Sequence, residues 1–478
     1  MRNFRLAPFH GGKMGFIRTV FGYLIGQTGL DGRSMNANRW RRFAGGTMLS
    51  ATVLALVLMT APALAQALKD WKCSGDPDIP WNQQIIGCSN AINSGTITGK
   101  DLPAAFSSRG RAYAAENDLD RAFADYGQAI QLDSNATYAF NGRGSVYFLK
   151  KDYDHAIADY ARAISLDPNY ARAFNNRGNA YAAMGDTGRA IADYDRAIQL
   201  DPNDAVAVNN RGIAYQTRGD VDRAIADYDQ AIRLDPDYAV AFSNRGKAYQ
   251  ARGDLDRAIA DYDQAIRLNP NYASAFDSRG SAYGNKNDQD RAIADYTEAI
   301  RLDPNSAHTF YNRGSAYAAK MDYDHAIADF DQAIRLNPKD AVAFNSRGGA
   351  HQAKGDLDRG IADYSEAIRL DPNYIFAYNN RGIAYSDKRD YDRAITDYNE
   401  AVRREPAFAV AFFNRGSVYG AKQDYDRAIA DFTEAIRLHP GYASALYRRG
   451  RARQLKGDNA GSDADIAAAG KINPNIGR

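Results

Sequence analysis

Apolar and small residues recur along this chain at helical spacing, in short stretches that stop and resume on a fixed beat. In residues 171–204, "ARAFNNRGNAYAAMGDTGRAIADYDRAIQLDPND", Phe174, Gly178 and Tyr181 stand at i, i+4 and i+7, one stripe of a helix. Gly185-Asp186 interrupts it, and Ala190, Ile191, Tyr194, Ala197 and Ile198 make a second stripe. Pro202 closes the unit, because a proline disfavours helix in the residue before it. Each such stretch therefore predicts two short antiparallel helices. Neither can bury its stripe alone, so copies must stack.

The dipeptide Arg-Gly marks the period. Its glycines run from Gly110 to Gly450 at intervals of 34, giving eleven copies without insertion or deletion between the markers. Small residues at fixed places (Gly178, Ala190, Ala197) admit close helix approach, and Phe174, Tyr181 and Tyr194 fill the space beside them. The 34-residue helix–turn–helix with an aromatic, Gly, Tyr, Ala, aromatic, Ala and Pro in this order resembles the tetratricopeptide repeat family, over about residues 103–476. That resemblance implies an all-α fold, an α-solenoid in which antiparallel helix pairs stack as a right-handed superhelix. It also implies that the first helices line a concave groove, and that the activity is protein binding, often of an extended segment in that groove. Residues 66–102 read as a leader in which Ile85, Cys88, Ala91 and Ile92 echo a second helix, a degenerate half-repeat capping the front; residues 477–478 are a tail. In the last copy Asp463 and Gly470 replace apolar residues, as suits a terminal face with no neighbour.

An arginine precedes the marker glycine in all eleven copies, on the same face as the apolar stripe, where the family commonly has leucine. A buried unpaired charge costs several kcal/mol, so a partner is required. Sixteen residues after each arginine stands an aspartate, as in Arg177 and Asp193, Arg211 and Asp227, Arg381 and Asp397. These predict charge-assisted pairs, within a repeat or between neighbours. The alternative is a row of arginines facing the groove to hold an anionic partner.

Just before the arginines, Asn176, Asn210, Asn244, Asn312, Asn380 and Asn414 resemble the asparagine ladder that holds a partner's backbone in some long members of the family. An amide both donates and accepts, which suits a peptide backbone of any sequence. Asn175, Asn209, Asn345 and Asn379 extend the polar strip, and Tyr311, Phe376, Phe413 and Tyr447 offer apolar pockets or, equally, pack on the adjacent repeat. The lysine-rich carboxylate clamp of chaperone-binding members finds no matching lysines here.

Charge and composition narrow the rest. Residues 1–65 carry eight basic residues and one acidic, the remainder 52 basic against 57 acidic. A mildly acidic body argues against nucleic acid as a partner. Arg39, Arg41 and Arg42, the apolar run Met48–Met59 and the small-x-small Ala63-Leu64-Ala65 form a signal peptide with an N-terminal extension over 1–65, cleaved between Ala65 and Gln66. Export to the periplasm or beyond follows, with an uncleaved anchor as the alternative; the twelve-residue run is too short to span a bilayer, and the mature chain contains no apolar run of spanning length. In an oxidising compartment the two cysteines, Cys73 and Cys88, are expected to form one disulfide rather than two thiols. The six histidines show no metal-ligand spacing, and no Gly-rich phosphate loop or serine elbow occurs. No cofactor, metal or catalysis is expected. The reading is a non-catalytic scaffold that binds a protein segment in the groove, with an envelope carbohydrate or polymer as the alternative ligand and self-association as a further possibility.

Overall fold

The computed structural model describes Cys73, residues 79–95 and residues 97–477. The signal segment and its Ala65–Gln66 junction lie outside the described residues. Among these the chain forms 23 α-helices and no strand, an all-α solenoid. It divides into two compact units, one ending at Val146 and the other beginning at Tyr147, within the helix Thr137–Leu149.

In the first unit, helix Trp81–Asn93 packs on Leu102–Ala115, which pairs with Leu119–Leu132. The core is Tyr113, Ala122, Tyr126, Ala129, Ala139 and Val146. A disulfide joins Cys73 to Cys88, and both sulfur-bearing residues are buried against Ala105. Helix Trp81–Asn93 thus occupies the place of a second helix before the first complete pair.

In the second unit, after helix Tyr153–Leu166, a leading helix of 13 residues alternates with a trailing helix of 14. The first such pair is Ala171–Ala183 with Thr187–Leu200 and the last is Ala443–Leu455 with Asn459–Ile472, each displaced 34 residues from the one before. Local chemistry sets the boundaries. The turn between partners places Gly185, Gly219, Gly253, Gly355 and Gly457 at φ between 80° and 89°, the left-handed C-cap that glycine adopts without a Cβ penalty. The next residue is an aspartate that caps the trailing helix: the Arg189 amide donates to Asp186 Oδ1 at 2.9 Å and the Arg223 amide to Asp220 Oδ1 at 3.2 Å.

The marker glycines are the points of closest approach. A Cβ on Gly212 would lie 2.7 Å from the Tyr228 ring, and one on Gly178 equally close to Tyr194. Those rings are fully buried, and each phenol donates to a polar partner, Tyr228 to Gln216 at 2.9 Å and Tyr194 to Asn179 at 2.8 Å. Within this unit the leading helices touch the leading helices of adjacent repeats, whereas successive trailing helices make no such contact among the described residues. The leading helices are therefore the closer-spaced, inner row. No described helix is long and apolar enough to cross a membrane.

Candidate groove and its supporting ladder

The arginines before the marker glycines are half-buried, and within each unit those described below meet an aspartate of their own repeat. Arg177 meets Asp193 side-on, Nε to Oδ2 at 2.8 Å and Nη2 to Oδ1 at 2.7 Å. Arg211 with Asp227 and Arg381 with Asp397 repeat this fork at 2.9 and 2.7 Å, and Arg109 with Asp125 shows it in the first unit. Each of these carboxylates is less than a tenth exposed. The planar guanidinium suits two parallel bonds to one carboxylate, an arrangement lysine cannot reproduce.

The third nitrogen has a role the sequence reading did not foresee. Arg211 Nη1 donates to Asp195 at 2.7 Å, and Arg245 and Arg279 donate to Asp229 and Asp263 at 2.6 Å. Ser365 and Asn399 accept in the same way from Arg381 and Arg415. These acceptors lie sixteen residues before the arginine, on the trailing helix of the preceding repeat. One side chain therefore joins three helices. In the first unit Ser89 accepts from Arg109 at 3.1 Å, which is why helix Trp81–Asn93 works as a cap. The signal was present as a recurring acceptor at minus sixteen; Ala161 breaks it for Arg177.

Hydrogen bonding to Asp227 and Asp195 holds the Arg211 pKa above its ordinary value. Burial pushes the Asp261 and Asp397 carboxyls up, against the opposing pull of Arg245 and Arg381. All three nitrogens of Arg211, Arg245 and Arg279 are spent on the protein itself, so these arginines are not a row reaching for an anion.

What the inner row leaves exposed is different. Counting from the first residue of each leading helix, the second, sixth and ninth form one outward stripe. Five of the second positions are Val206, Val240, Val342, Phe376 and Val410, all exposed and with Phe376 at 51%. The sixth are the asparagines Asn176, Asn210, Asn244, Asn312, Asn380 and Asn414, all half-buried. Ile213, at a ninth position, is also exposed. The valines escaped the sequence reading, although each stands four residues before the asparagine or serine of its stripe.

The fifth positions correct an expectation. Asn175, Asn209 and Asn379, expected from the sequence to line the groove, are buried. Their oxygens accept from the asparagine of the next repeat: Asn210 donates to Asn175 at 3.1 Å, Asn244 to Asn209 at 3.0 Å and Asn414 to Asn379 at 2.9 Å. Asn380 donates likewise to the half-buried Asn345 at 3.0 Å. These amides bind repeat to repeat and steady the sixth-position amides above them. Tyr311 also looks inward, with its ring 5.7 Å from Phe330 and its hydroxyl 3.4 Å from Ser346. Phe413 lies between Phe432 and Tyr442. Of the four aromatics named from sequence, with Tyr447 half-buried, Phe376 alone is exposed, flanked by Tyr374 and Phe408 at 5.9 and 5.6 Å.

Among the described residues no group of His, Cys, Asp and Glu is placed to hold a metal ion. A cavity of about 560 Å³ lies at the last repeat, between Tyr447, Arg448, Arg451 and the chain's own Ile476 and Gly477.

Comparison with known proteins agrees with this architecture. The family described as TPR repeat matches residues 144–185, 217–251, 280–320 and 351–388. Families described as tetratricopeptide repeat match 171–204, 239–272, 307–340, 375–408 and 409–442, together with 193–226 and 104–135. No curated protein sequence matches the chain. Among solved structures the chain is similar to MamA, with 29% identity over 34% of this chain and 94% of that one and a TM-score of 0.33. It is similar to YrrB, described as a TPR protein with an unusual peptide-binding site, with 24% identity over 39% and 97% and a TM-score of 0.34. Yeast Tom70 shares 16% identity over 78% and 92%, with a TM-score of 0.41. The 34-residue helix pairs, the glycine–aromatic contacts that join them and the family matches along the array together make this chain a member of the tetratricopeptide repeat family.

Proposed function

We propose that the chain is an exported, non-catalytic scaffold that holds an extended segment of a protein partner along the inner row of leading helices. The observation that carries this reading is the outward stripe itself. At Val206 with Asn210, Val240 with Asn244, Phe376 with Asn380 and Val410 with Asn414 it offers an apolar side chain beside an amide, whereas the other faces of the leading helices are consumed by packing and by the arginine ladder. An apolar contact supplies affinity when it is covered. An amide supplies a donor and an acceptor to a peptide backbone whatever its sequence. Export is supported by the basic, apolar and small-residue succession over 39–65 and by the Cys73–Cys88 bridge.

Photo-crosslinking residues placed at Val206, Asn210 and Phe376 test the reading in cells, with Asp222 on a trailing helix as the control. The expected result is one polypeptide captured from all three row positions and none from Asp222. Equal capture from both faces, or capture of a glycan in place of a polypeptide, would overturn it.

A further inference from the structure

The stripe is not uniform. Its apolar members fall into two tracts, Val206, Ile213 and Val240 in one, Val342, Phe376 and Val410 in the other. Between them lie two leading helices, Ala273–Asn285 and Ala307–Ala319, whose second positions are Ser274 and His308, both exposed, with Ser281 and Ser315 at the ninth.

The amide relay breaks from the preceding leading helix, Ala239–Ala251, onward into these two. At the fifth position, where Asn209 and Asn379 accept from the next repeat, stand Ser243, whose Oγ is fully buried with no hydrogen-bond partner, and then Asp277. Asp277 is the one carboxylate in this row of fifth positions. Its oxygens receive a long bond from Asn312 Nδ2, at 3.4 Å, and lie 3.8 Å from His308 Nε2. Asn312 Nδ2 also lies 3.0 Å from that same His308 nitrogen. Among the described residues no lysine or arginine pairs with Asp277, whose side chain is 18% exposed. Elsewhere on the stripe, Asp387 is bonded to Gln352 at 2.9 Å, Lys247 lies on the preceding leading helix, and the ends carry Arg172 and the pair Arg448 and Arg451. Asp277 is therefore the carboxylate that lies in the gap between the two apolar tracts.

We propose that the groove selects a polypeptide with two short apolar segments separated by a hydrophilic stretch that carries a lysine or arginine, the cation pairing with Asp277. This rests on the groove reading above and adds the chemistry of the partner. The sixth-position amides accept any backbone, so discrimination comes from the pattern of the other groups. A half-buried carboxylate whose contacts are one amide and an exposed imidazole gains more from an incoming cation than an aspartate that already has an arginine or lysine partner. Two weak apolar tracts on one scaffold give useful affinity only when both are engaged by one chain, since the second contact is then intramolecular.

The test pans a phage-displayed library of random 16-residue peptides on the full chain and on Asp277→Asn, with helical circular dichroism as the check on folding. Enriched peptides are expected to carry Lys or Arg between apolar clusters. The variant should retain the apolar clusters and lose the basic residue. For a selected peptide, Lys→Gln should weaken binding about fivefold on the native chain and leave it unchanged on Asp277→Asn. The double variants Val206→Ser/Val240→Ser and Phe376→Ser/Val410→Ser should each weaken it about tenfold or more. Enrichment without basic residues, basic enrichment that survives Asp277→Asn, or full affinity after loss of one tract would sink this proposal and leave the groove reading standing. Failure to enrich any peptide would remove both.

Discussion

At the scale of the residue, the arginine ladder sets the terms. Asp193 is the full complement of Arg177, because the upstream position that helps other arginines is Ala161. Asp227 shares Arg211 with Asp195. Replacing Asp193 by alanine leaves a half-buried guanidinium with neither of its bonds and should cost about 3–5 kcal/mol; Asp227→Ala should cost less, because Asp195 remains. Amide exchange of the affected repeat and the urea midpoint measure the difference, and a larger loss for Asp227→Ala would contradict the three-helix ladder. The sequence disclosed the plus-sixteen aspartate because both members recur without exception. It did not disclose the minus-sixteen acceptor, because Asp, Thr, Ser and Asn alternate there and look like ordinary surface variation. Burial of Asn209 was hidden for a related reason. Two adjacent asparagines point about 100° apart on a helix, and sequence alone does not say which one meets the neighbouring repeat.

At the scale of the element, the trailing helices share one start. The caps Asp186, Asp220, Asp254, Asp288 and Asp390 are half-buried, and hydrogen bonds from the arginine three residues on hold their pKa values below the ordinary 3.8. A depressed folded pKa means stability that is present above the unfolded value and lost as pH falls through the folded one. Asp261 and Asp397 work in the opposite sense, since their raised values give a contribution that is present at low pH and lost as pH rises. The caps are the more numerous, so helical signal at 222 nm should hold from neutral pH to about 4 and decline below it. Helix content that rises on acidification would refute this. The helices themselves were readable from the period of 3.6 and the Gly-Asp turn. Where Met321 and Arg389 stand in for the turn glycine, at φ of 62° and 59°, the element survives because the cap that follows it is unchanged. Propensity at a single position does not decide a helix end that both flanking helices require.

At the scale of the whole molecule, stability in a repeat array is close to a sum of nearest-neighbour terms. The cap is the part with a single neighbour, and the Cys73–Cys88 bridge closes its fifteen-residue loop. Opening a loop of that size removes about 3 kcal/mol in the chain-entropy account. Reduction should therefore speed amide exchange in Trp81–Asn93 while leaving the unit that begins at Tyr147 unaltered, as hydrogen exchange with and without a thiol would show. Equal acceleration in both units would mean the array unfolds as one block. Architecture was legible at this scale because a 34-residue beat admits few packings. The recognition surface was half legible: the asparagines announced themselves by repetition, whereas the valines looked like core until their exposure was known.

The spacings of the ladder have a last consequence for how such a chain can change length. The inter-repeat bonds join residues between 16 and 35 apart, so each reaches only into the adjoining repeat. Excise residues 205–238 and Arg245 would find Asp195 where Asp229 had been, while Asn244 would find Asn175 in place of Asn209. One exposed ion pair, Arg252 to Asp222, would be forfeited at Gly188. Loss or gain of a whole 34-residue module leaves the joint intact, whereas loss of 33 keeps the pairs within each repeat, such as Arg245 with Asp261, and puts the bonds across the seam out of register.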